Sequence, residues 1–278
     1  MTNLSLPARF SERVHRLALG IEPMDPCRGA RIGHRLQILV EPAPPGLPHP
    51  RLVRHRSRLY VMLDDPDVPV TLQLRLCDIG EPHDPPGYKP QTDRRRIVPR
   101  RLRVTIPSAD QADALPLARR ARQPVLFPGA AYPISEAITG LRGRVEQAGI
   151  PVRWARIEAR RPAAAPGDPP VGRAHADDRG EFLLQPAPAA SPMVTLARPL
   201  ELDLLVYAPL PPNPLPPQAQ RDTDGLWDLP VEELSASGDP DPVADGAFPP
   251  VGWSAPATPV RVALTYGRLL TDLPPLSP

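Results

Sequence analysis

Proline is the residue that most constrains how this chain can fold. Of its 278 residues, 45 are prolines. Proline fixes φ and has no N–H to donate, so it is excluded from helix interiors and from central strands. Yet 41% of the residues are hydrophobic, and they cluster in alternating runs, which argues against the disorder that such a proline content usually indicates. We therefore expect an all-β fold of short strands joined by stiff, proline-rich loops.

The alternating runs divide the chain into two β-sandwich domains. Residues 21–106 form the first domain, with strands predicted over 35–40, 58–63, 68–76 and 97–106. Residues 107–137 form a connector whose helix-compatible part, 108–122, is interrupted by Pro116. Residues 138–209 form the second domain, which ends with a strand over 200–207.

The N-terminal residues 1–20 predict a short helix. Ser11 would be its N-cap, with Phe10, Val14 and Leu17 on one face. No uninterrupted apolar segment typical of a secretory signal is present here. No part of the chain has the roughly 18 consecutive apolar residues of a membrane span. We expect a cytoplasmic protein without a signal peptide, or one that is released as part of a particle.

A turn is predicted where Asp177-Asp178-Arg179-Gly180 leads into Glu181-Phe182. Aspartate can close a turn through its own side chain, and glycine adopts a positive φ without a Cβ penalty. Apolar runs on both sides make this a hairpin prediction, in which Asp178, Gly180 and Phe182 have structural roles. The turn accounts for both carboxylates, although Asp177 and Asp178 could also bind Ca²⁺ together with loop carbonyls.

The motifs around this turn resemble the carboxypeptidase regulatory-like (transthyretin-like) β-sandwich module over residues 138–209. The motifs are Gly143-Arg144-Val145, Gly149-Ile150-Pro151-Val152, Ala155-Arg156-Ile157 and Asp178-Arg179-Gly180-Glu181-Phe182. The resemblance implies an Ig-like packing or interaction module that is not catalytic. A weaker copy runs through residues 21–106, where Gly29 and Tyr60 take the places of Gly149 and Phe182.

Six arginines lie within ten residues of the first domain: Arg94, Arg95, Arg96, Arg100, Arg101 and Arg103. A nucleic-acid site needs aromatic side chains for stacking or an element that reads a groove, and this run has no aromatic residue. The net charge of +2 adds no global attraction for nucleic acid. Two interpretations remain. The arginines lie on the solvated face of an edge strand, where charge deters unwanted pairing, or they contact an acidic partner.

The proline-rich C-terminal residues 210–278 predict an extended arm that ends in a strand over 260–266. Residues 222–260 hold eight carboxylates and no lysine or arginine. One hypothesis places this acidic arm on the arginine-rich strand of a neighbouring subunit, with Trp227 or Trp253 as the aromatic anchor. The alternative is a disordered tail.

The sequence carries no recognised catalytic motif. It lacks a phosphate-binding glycine loop, an HExxH motif, a nucleophile elbow and a CxxC pair. His49 and His55 have no third ligand at a suitable spacing, so no metal site is predicted there. Cys27 and Cys77 are expected to be reduced and buried, with a single disulfide as the alternative. We accordingly predict no catalytic, cofactor-binding or metal-binding residues.

These observations favour a non-enzymatic structural or adaptor subunit of a large assembly. A particle assembled in the cytosol, such as a phage tail or contractile injection system, would reconcile a surface-type module with a chain that shows no signal. Its partners would be other protein subunits, including copies of itself, rather than nucleic acid or a small-molecule substrate. The alternatives are an accessory partner of a hydrolase, or a carbohydrate- or peptide-binding module that uses loops 42–50, 80–93 and 161–172.

Overall fold

The structure is a computed structural model, and most of the chain is described. The described residues are 17–41, 52–63, 66–79, 92–135, 137–165, 167–187, 198–211, 215–235, 241–247, 252–254 and 258–278. In chain order, the strands are β1 (Leu17–Ile21), β2 (Met24–Asp25), β3 (Ala30–Arg31), β4 (Gln37–Glu41), β5 (Val53–Arg54), β6 (Tyr60–Leu63), β7 (Val70–Cys77), β8 (Arg100–Ile106), β9 (Ala121–Arg122), β10 (Gly140–Arg144), β11 (Glu146–Gln147), β12 (Ile150–Pro151), β13 (Arg156–Arg160), β14 (Gly172–His175), β15 (Glu181–Leu184), β16 (Leu200–Tyr207), β17 (Val231–Glu233), β18 (Val260–Leu264) and β19 (Leu269–Leu270). The helices are α1 (Ala109–Ala114), α2 (Leu117–Arg120) and α3 (Gln218–Thr223). The predicted all-β class is confirmed.

The first sandwich packs two four-stranded sheets face to face. One sheet has the order β5-β6-β1-β9 and the other has the order β17-β8-β7-β4. Their facing side chains form one core, because the apolar positions of β7 and β8 alternate as the sequence predicts. The buried residues of these two strands include Leu72, Leu74, Leu76, Leu102, Val104 and Ile106.

The second sandwich packs the sheet β15-β10-β19 against the sheet β14-β13-β16-β18. Phe182 is fully buried at its centre and lies opposite Gly143 on the neighbouring strand. A Cβ atom on Gly143 would lie only 2.8 Å from the Phe182 ring. The glycine of the first motif therefore makes room for the aromatic residue of the last one.

The C-terminal residues supply strands to both sandwiches. β17 pairs in parallel with β8 of the first sandwich. β18 pairs antiparallel with β16, and β19 pairs in parallel with β10, both in the second sandwich. The expected arm that reaches another subunit is therefore seen here in the sheets of its own chain.

The described part of the predicted N-terminal helix is a strand, so that prediction is wrong over residues 17–20. β1 lies between β6, with which it pairs antiparallel, and β9, with which it pairs in parallel. Leu17 and Ala18 fit a helical spacing as well as a strand, and the two neighbouring strands decide in favour of the sheet. The remainder of the predicted helix, with Ser11, lies outside the described residues.

The connector forms two helices, as the position of Pro116 indicates. α1 begins with a capping box, in which the Ser108 hydroxyl accepts a hydrogen bond from Gln111 N and Gln111 bonds back to Ser108 N. α2 follows Pro116 directly. No helix among the described residues is both long and apolar enough to cross a membrane.

The predicted hairpin at residues 177–180 is a corner between two sheets. Gly180 has φ +74°, as the turn requires. However, β14 before the turn pairs with β13, whereas β15 after it pairs with β10 in the opposite sheet. The sequence signal identified the turn, but it could not show that the chain changes sheet there.

The two sandwiches share backbone features at the positions where the sequence shows a weak internal repeat. Gly29 and Gly149 both have positive φ and lie between the strands of two-stranded ribbons, β2-β3 and β11-β12. Arg58, with φ +68°, precedes Tyr60 by two residues, as Gly180 precedes Phe182.

Candidate functional site

The arginine-rich strand lies inside its sheet rather than at the edge. β8 is flanked by β7 and β17, so the edge-strand interpretation is wrong. Arg100 and Arg101 are buried, whereas Arg103 is partly exposed and lies 3.8 Å from Glu233. The acidic partner of the alternative interpretation is present within the same chain, because β17 brings Glu232 and Glu233 alongside β8.

A buried cluster of ions joins the two sandwiches at this point. Glu232 accepts hydrogen bonds from Arg100 Nη2 through Oε2 at 2.5 Å and from Arg156 Nη2 through Oε1 at 2.5 Å. Arg100 belongs to the first sandwich, Arg156 to the second and Glu232 to the C-terminal segment. Arg100 Nε also donates to Glu232 Oε1 at 3.1 Å, and its Nη1 and Nη2 donate to the carbonyl oxygens of Val125, Val243 and Ala244. One carboxylate therefore links three separate parts of the chain.

Burial and charge set the protonation of this cluster. Burial lowers the pKa of Arg156 to about 10, although the Glu232 carboxylate opposes that effect. Burial would also raise the pKa of Glu232, but Arg100 and Arg156 outweigh it and hold the pKa below its usual value. The Arg156 guanidinium and the Glu232 carboxylate are thus charged near neutral pH, and their charges are compensated by hydrogen bonds.

His175 extends the cluster as a neutral ring. Its Nδ1 contacts Arg156 Nη1, and its ring stacks on Phe127 with the centroids 3.8 Å apart. Burial, followed by the charges of Arg156, Arg100 and Arg173, holds the pKa of His175 well below its ordinary value. The buried Nε2 atom has no hydrogen-bond partner among the described residues.

A second ion cluster fixes the segment before β17 to the first sandwich. Arg75 donates to both carboxylate oxygens of Asp224 at 2.7 Å, and its Nε lies 2.7 Å from Glu41. Arg101 donates to the carbonyl oxygens of Leu229 and Leu226 at 3.1 and 3.2 Å. The acidic segment is therefore bound to this sheet by side chains as well as by strand pairing.

The remaining arginines of the run have separate roles. Arg96 binds the buried carboxylate of Asp78 through Nε at 2.8 Å and Nη2 at 2.7 Å. Arg95 Nη1 lies 2.6 Å from Asp178 Oδ1 in the second sandwich. Arg94 is exposed.

The contacts of the two aspartates in the predicted turn differ from our expectation. Asp177, rather than Asp178, closes the turn, because its Oδ1 accepts from the backbone N–H groups of Arg179 and Glu181 at 2.8 and 3.0 Å. Asp178 instead pairs with Arg95 across the two sandwiches. Gly180 has φ +74° in this turn, and Phe182 is fully buried.

The two predicted tryptophan anchors contact their own chain. The Arg156 guanidinium carbon lies 5.3 Å from the centroid of the Trp253 ring. The Arg221 guanidinium carbon lies 5.7 Å from the centroid of the Trp227 ring. Sequence analysis overlooked Trp154, which is buried between the sandwiches beside Cys77, Ile79, Val98, Leu226 and Leu229. Its Nε1 donates to Asp228 at 2.9 Å. Only three residues of the chain are tryptophans, and this small number could have drawn attention to Trp154.

Two of the concave surfaces formed by the described residues could hold a ligand or a partner. A groove of about 340 Å³ runs between the β11-β12 ribbon and the C-terminal segment, with Trp154, Trp227, Ile150 and Leu210 in its walls. A separate cleft of about 560 Å³ is lined by Tyr132, Gln185 and Tyr266, among others. Loop 42–50 and most of loop 80–93 lie outside the described residues.

The described residues provide no cluster of three or more side chains suited to hold a metal ion. Cys27 and Cys77 are both free thiols, so the single-disulfide alternative is not observed. Burial raises the pKa of Cys27 to about 12 and also raises that of the fully buried Cys77. His55 bonds to Ser57 in an exposed turn, and His49 lies outside the described residues.

In comparisons with known proteins, the chain matches no family model, no curated protein and no solved structure. The resemblance to the carboxypeptidase regulatory-like module therefore remains a prediction that rests on the motifs themselves.

Proposed function

We propose that this chain is a non-enzymatic structural or adaptor subunit, a rigid two-sandwich building block of a larger protein assembly. The observation that carries the proposal is the shared carboxylate of Glu232, which bonds to Arg100 and Arg156 at the junction of the sandwiches. Independent domains of one chain usually meet through small, polar and mobile interfaces. A buried ion cluster and strands shared with both sandwiches make one body of fixed shape, which suits a building block.

Exposed apolar residues support a contact with other proteins. Ile150 and Leu210 are 69% and 59% exposed, and both border the groove that contains Trp227. Exposed apolar residues that gather beside a groove mark interaction surfaces more often than isolated ones do. Aromatic side chains at such surfaces contribute much of the binding energy.

The finer proposal is that the assembly is a phage-tail-like or contractile injection particle, built in the cytoplasm from this chain and other subunits. It rests on the resemblance to a surface-type module and on the buried contacts that join the two sandwiches. Sedimentation of native extracts tests the proposal. We expect the chain in a fast-sedimenting complex with other subunits. Recovery of the chain only as a free monomer would contradict the assembly.

The cleft of about 560 Å³ favours a second candidate, a carbohydrate-binding module. Its lining places Tyr132 and Tyr266 near the polar side chains of Gln185 and Ser135. Aromatic rings with a few polar groups are typical of small-molecule sites. Binding of the isolated chain to a glycan array, with loss of binding in Tyr266→Ala, would support this candidate over the assembly.

A further inference from the structure

Four exposed arginines meet at one end of the first sandwich. Arg54, Arg56 and Arg58 lie on the β5-β6 hairpin, and Arg35 lies on the loop before β4. We call these four residues the arginine tip. Arg54 lies opposite Tyr60 in the hairpin register. Tyr60 Oη accepts from Leu36 N at 2.6 Å and donates to Leu36 O at 3.0 Å, so the loop that carries Arg35 is bound to the hairpin.

Two of the guanidiniums converge on Gly33. Arg54 Nη2 donates to the Gly33 carbonyl oxygen at 3.1 Å. Arg58 Nη1 would lie 3.6 Å from a Cβ atom at Gly33. The turn itself is ordered by His55, whose Nδ1 lies 2.9 Å from Ser57 Oγ and whose carbonyl oxygen accepts from Arg58 N at 2.9 Å. The backbone of the arginine tip and the Arg54 guanidinium are therefore held in place before any partner binds.

The positive charge of the arginine tip is not neutralised within the described part of the chain. None of its four arginines forms an ion pair with a described carboxylate. In contrast, arginines elsewhere pair closely with acidic residues: Arg75, Arg95, Arg96, Arg100 and Arg156 all do so. A chain of net charge +2 thus gathers, on this hairpin and the neighbouring loop, four arginines without a carboxylate partner in the part of the chain that the structure describes.

Arg58 occupies a backbone position that suits glycine. Its φ of +68° lies in the left-handed region, where an L side chain crowds the following carbonyl. The other sandwich has Gly180 in the corresponding place, with φ +74°. Folding of the turn alone would favour glycine at position 58. The backbone of the turn therefore does not account for an arginine at position 58.

The chemistry of the arginine tip selects its partner. Guanidinium groups form paired hydrogen bonds with carboxylates and phosphates. Stacking of nucleic-acid bases needs exposed aromatic rings, but Tyr60 of this hairpin is buried. Among the described residues β5 is an edge strand, and beside Arg54 it carries Val53, which is 62% exposed. An edge offers both N–H donors and carbonyl acceptors, which a second strand of polypeptide satisfies.

We propose that the arginine tip and the edge of β5 bind an acidic, extended segment of another protein. That this protein is a fellow subunit rests on the proposed function. The recognition chemistry does not depend on it.

Binding of the isolated chain to poly-L-glutamate at low salt tests the proposal. The triple variant Arg54→Gln, Arg56→Gln, Arg58→Gln should bind at least about fivefold more weakly, because three exposed ion pairs are lost. The matched control is Arg119→Gln, Arg198→Gln, Arg268→Gln, which removes three exposed arginines elsewhere and should bind as the unaltered chain does. Equal loss in both variants would overturn the proposal, as would tighter binding to duplex DNA or to phosphatidylserine vesicles than to poly-L-glutamate.

Arg58→Gly separates binding from folding. It relieves the positive φ, so its melting temperature should equal or exceed that of the unaltered chain while its binding to poly-L-glutamate weakens. Unchanged binding in this folded variant would count against a role for Arg58. Sedimentation of native extracts reports on the assembly separately. A chain found only as a monomer that still binds poly-L-glutamate through the arginine tip would contradict the proposed function and leave this inference standing.

Discussion

Arg100 Nη2 lies 2.5 Å from Glu232 Oε2, and this pair joins residues 132 positions apart in the sequence. The same carboxylate accepts from Arg156 of the second sandwich. All three side chains are buried, so none of their charges can be compensated by water. Glu232 therefore helps to fix the relative placement of the sandwiches, together with the Arg95–Asp178 pair and the packing of Trp154.

Glu232→Gln should destabilise the whole molecule. The substitution leaves two buried guanidiniums without a counter-charge, and breaking such a buried pair costs about 3 kcal/mol or more. Glu233→Gln is the matched control, because Glu233 is the next residue of the same strand and its side chain is 74% exposed. Urea unfolding should show a large loss for the first variant and about 0.5 kcal/mol or less for the second. Similar losses in both would contradict the role given to Glu232.

Gly180→Ala should destabilise the second sandwich more than Gly149→Ala. Both glycines have positive φ, so each substitution carries a backbone cost of about 1 kcal/mol. Only at Gly180 would the new Cβ atom meet a neighbour, the Val145 carbonyl oxygen at 2.5 Å, whereas nothing lies within 4 Å at Gly149. Thermal melting of the two variants measures the difference. Equal melting temperatures would show that the backbone at 177–180 can shift to accept the Cβ atom without a loss of stability.

Acid should weaken the fold through His175. In the unfolded chain this imidazole takes up a proton near pH 6.5, whereas in the folded chain burial and then Arg156, Arg100 and Arg173 keep it neutral. The folded-state pKa is thus lowered, so the stability from the neutral ring is complete above pH 6.5 and is lost as the pH falls below it. The slope should approach about 1.4 kcal/mol per pH unit for this one proton.

Unfolding in urea between pH 7.5 and 4.5 measures that slope. His175→Gln should reduce it, because the variant has no ring to protonate. His55→Gln, at an exposed turn, should leave it unchanged. If the pH dependence of the unfolding free energy were the same in His175→Gln, the acid sensitivity would come from other groups. His34 is one such group, because burial also lowers its pKa.

Removal of residues 258–278 should unfold the second sandwich before the first. The deletion takes away β18 and β19, and it exposes the edges of β16 and β10 together with buried Leu202 and Leu204. Hydrogen exchange should then show lost protection over 200–207 and 140–144, with protection kept in β7 and β8. Arg261→Gln, an exposed change within β18, should keep protection in all four strands. Persistent protection of 200–207 in the truncated chain would contradict this account.

The local features of this fold could be predicted from the sequence. Strands β7 and β8 follow directly from alternating apolar residues, and the left-handed Gly180 follows from the turn motif. The sequence also indicates the burial of Arg100, because side chains two residues apart in a strand share a face and Leu102 and Val104 are apolar. The edge-strand interpretation considers only the charge of the arginine run and not the alternation of side chains along the strand.

The long-range features had no such signal. β17 is three residues long, polar and paired in parallel with a strand far away in sequence, so no local pattern identifies it. The partner of Asp178 was also out of reach, since Arg95 lies 83 residues earlier. Turn chemistry constrains a few neighbouring residues, whereas pairing between sandwiches depends on how the whole chain is arranged.

The strands contributed by residues 231–270 also constrain how this protein is made. During synthesis, β8 must wait for β17 and β10 must wait for β19, so each strand keeps one empty neighbour position after its nearer partner, β7 or β15, has been made. Pairing with β17 and β19 must wait until residues 231–270 have been made, and contacts so distant in sequence form slowly. A nascent chain therefore carries unpaired sheet edges until residue 270 is free, and over that interval it depends on protection from aggregation.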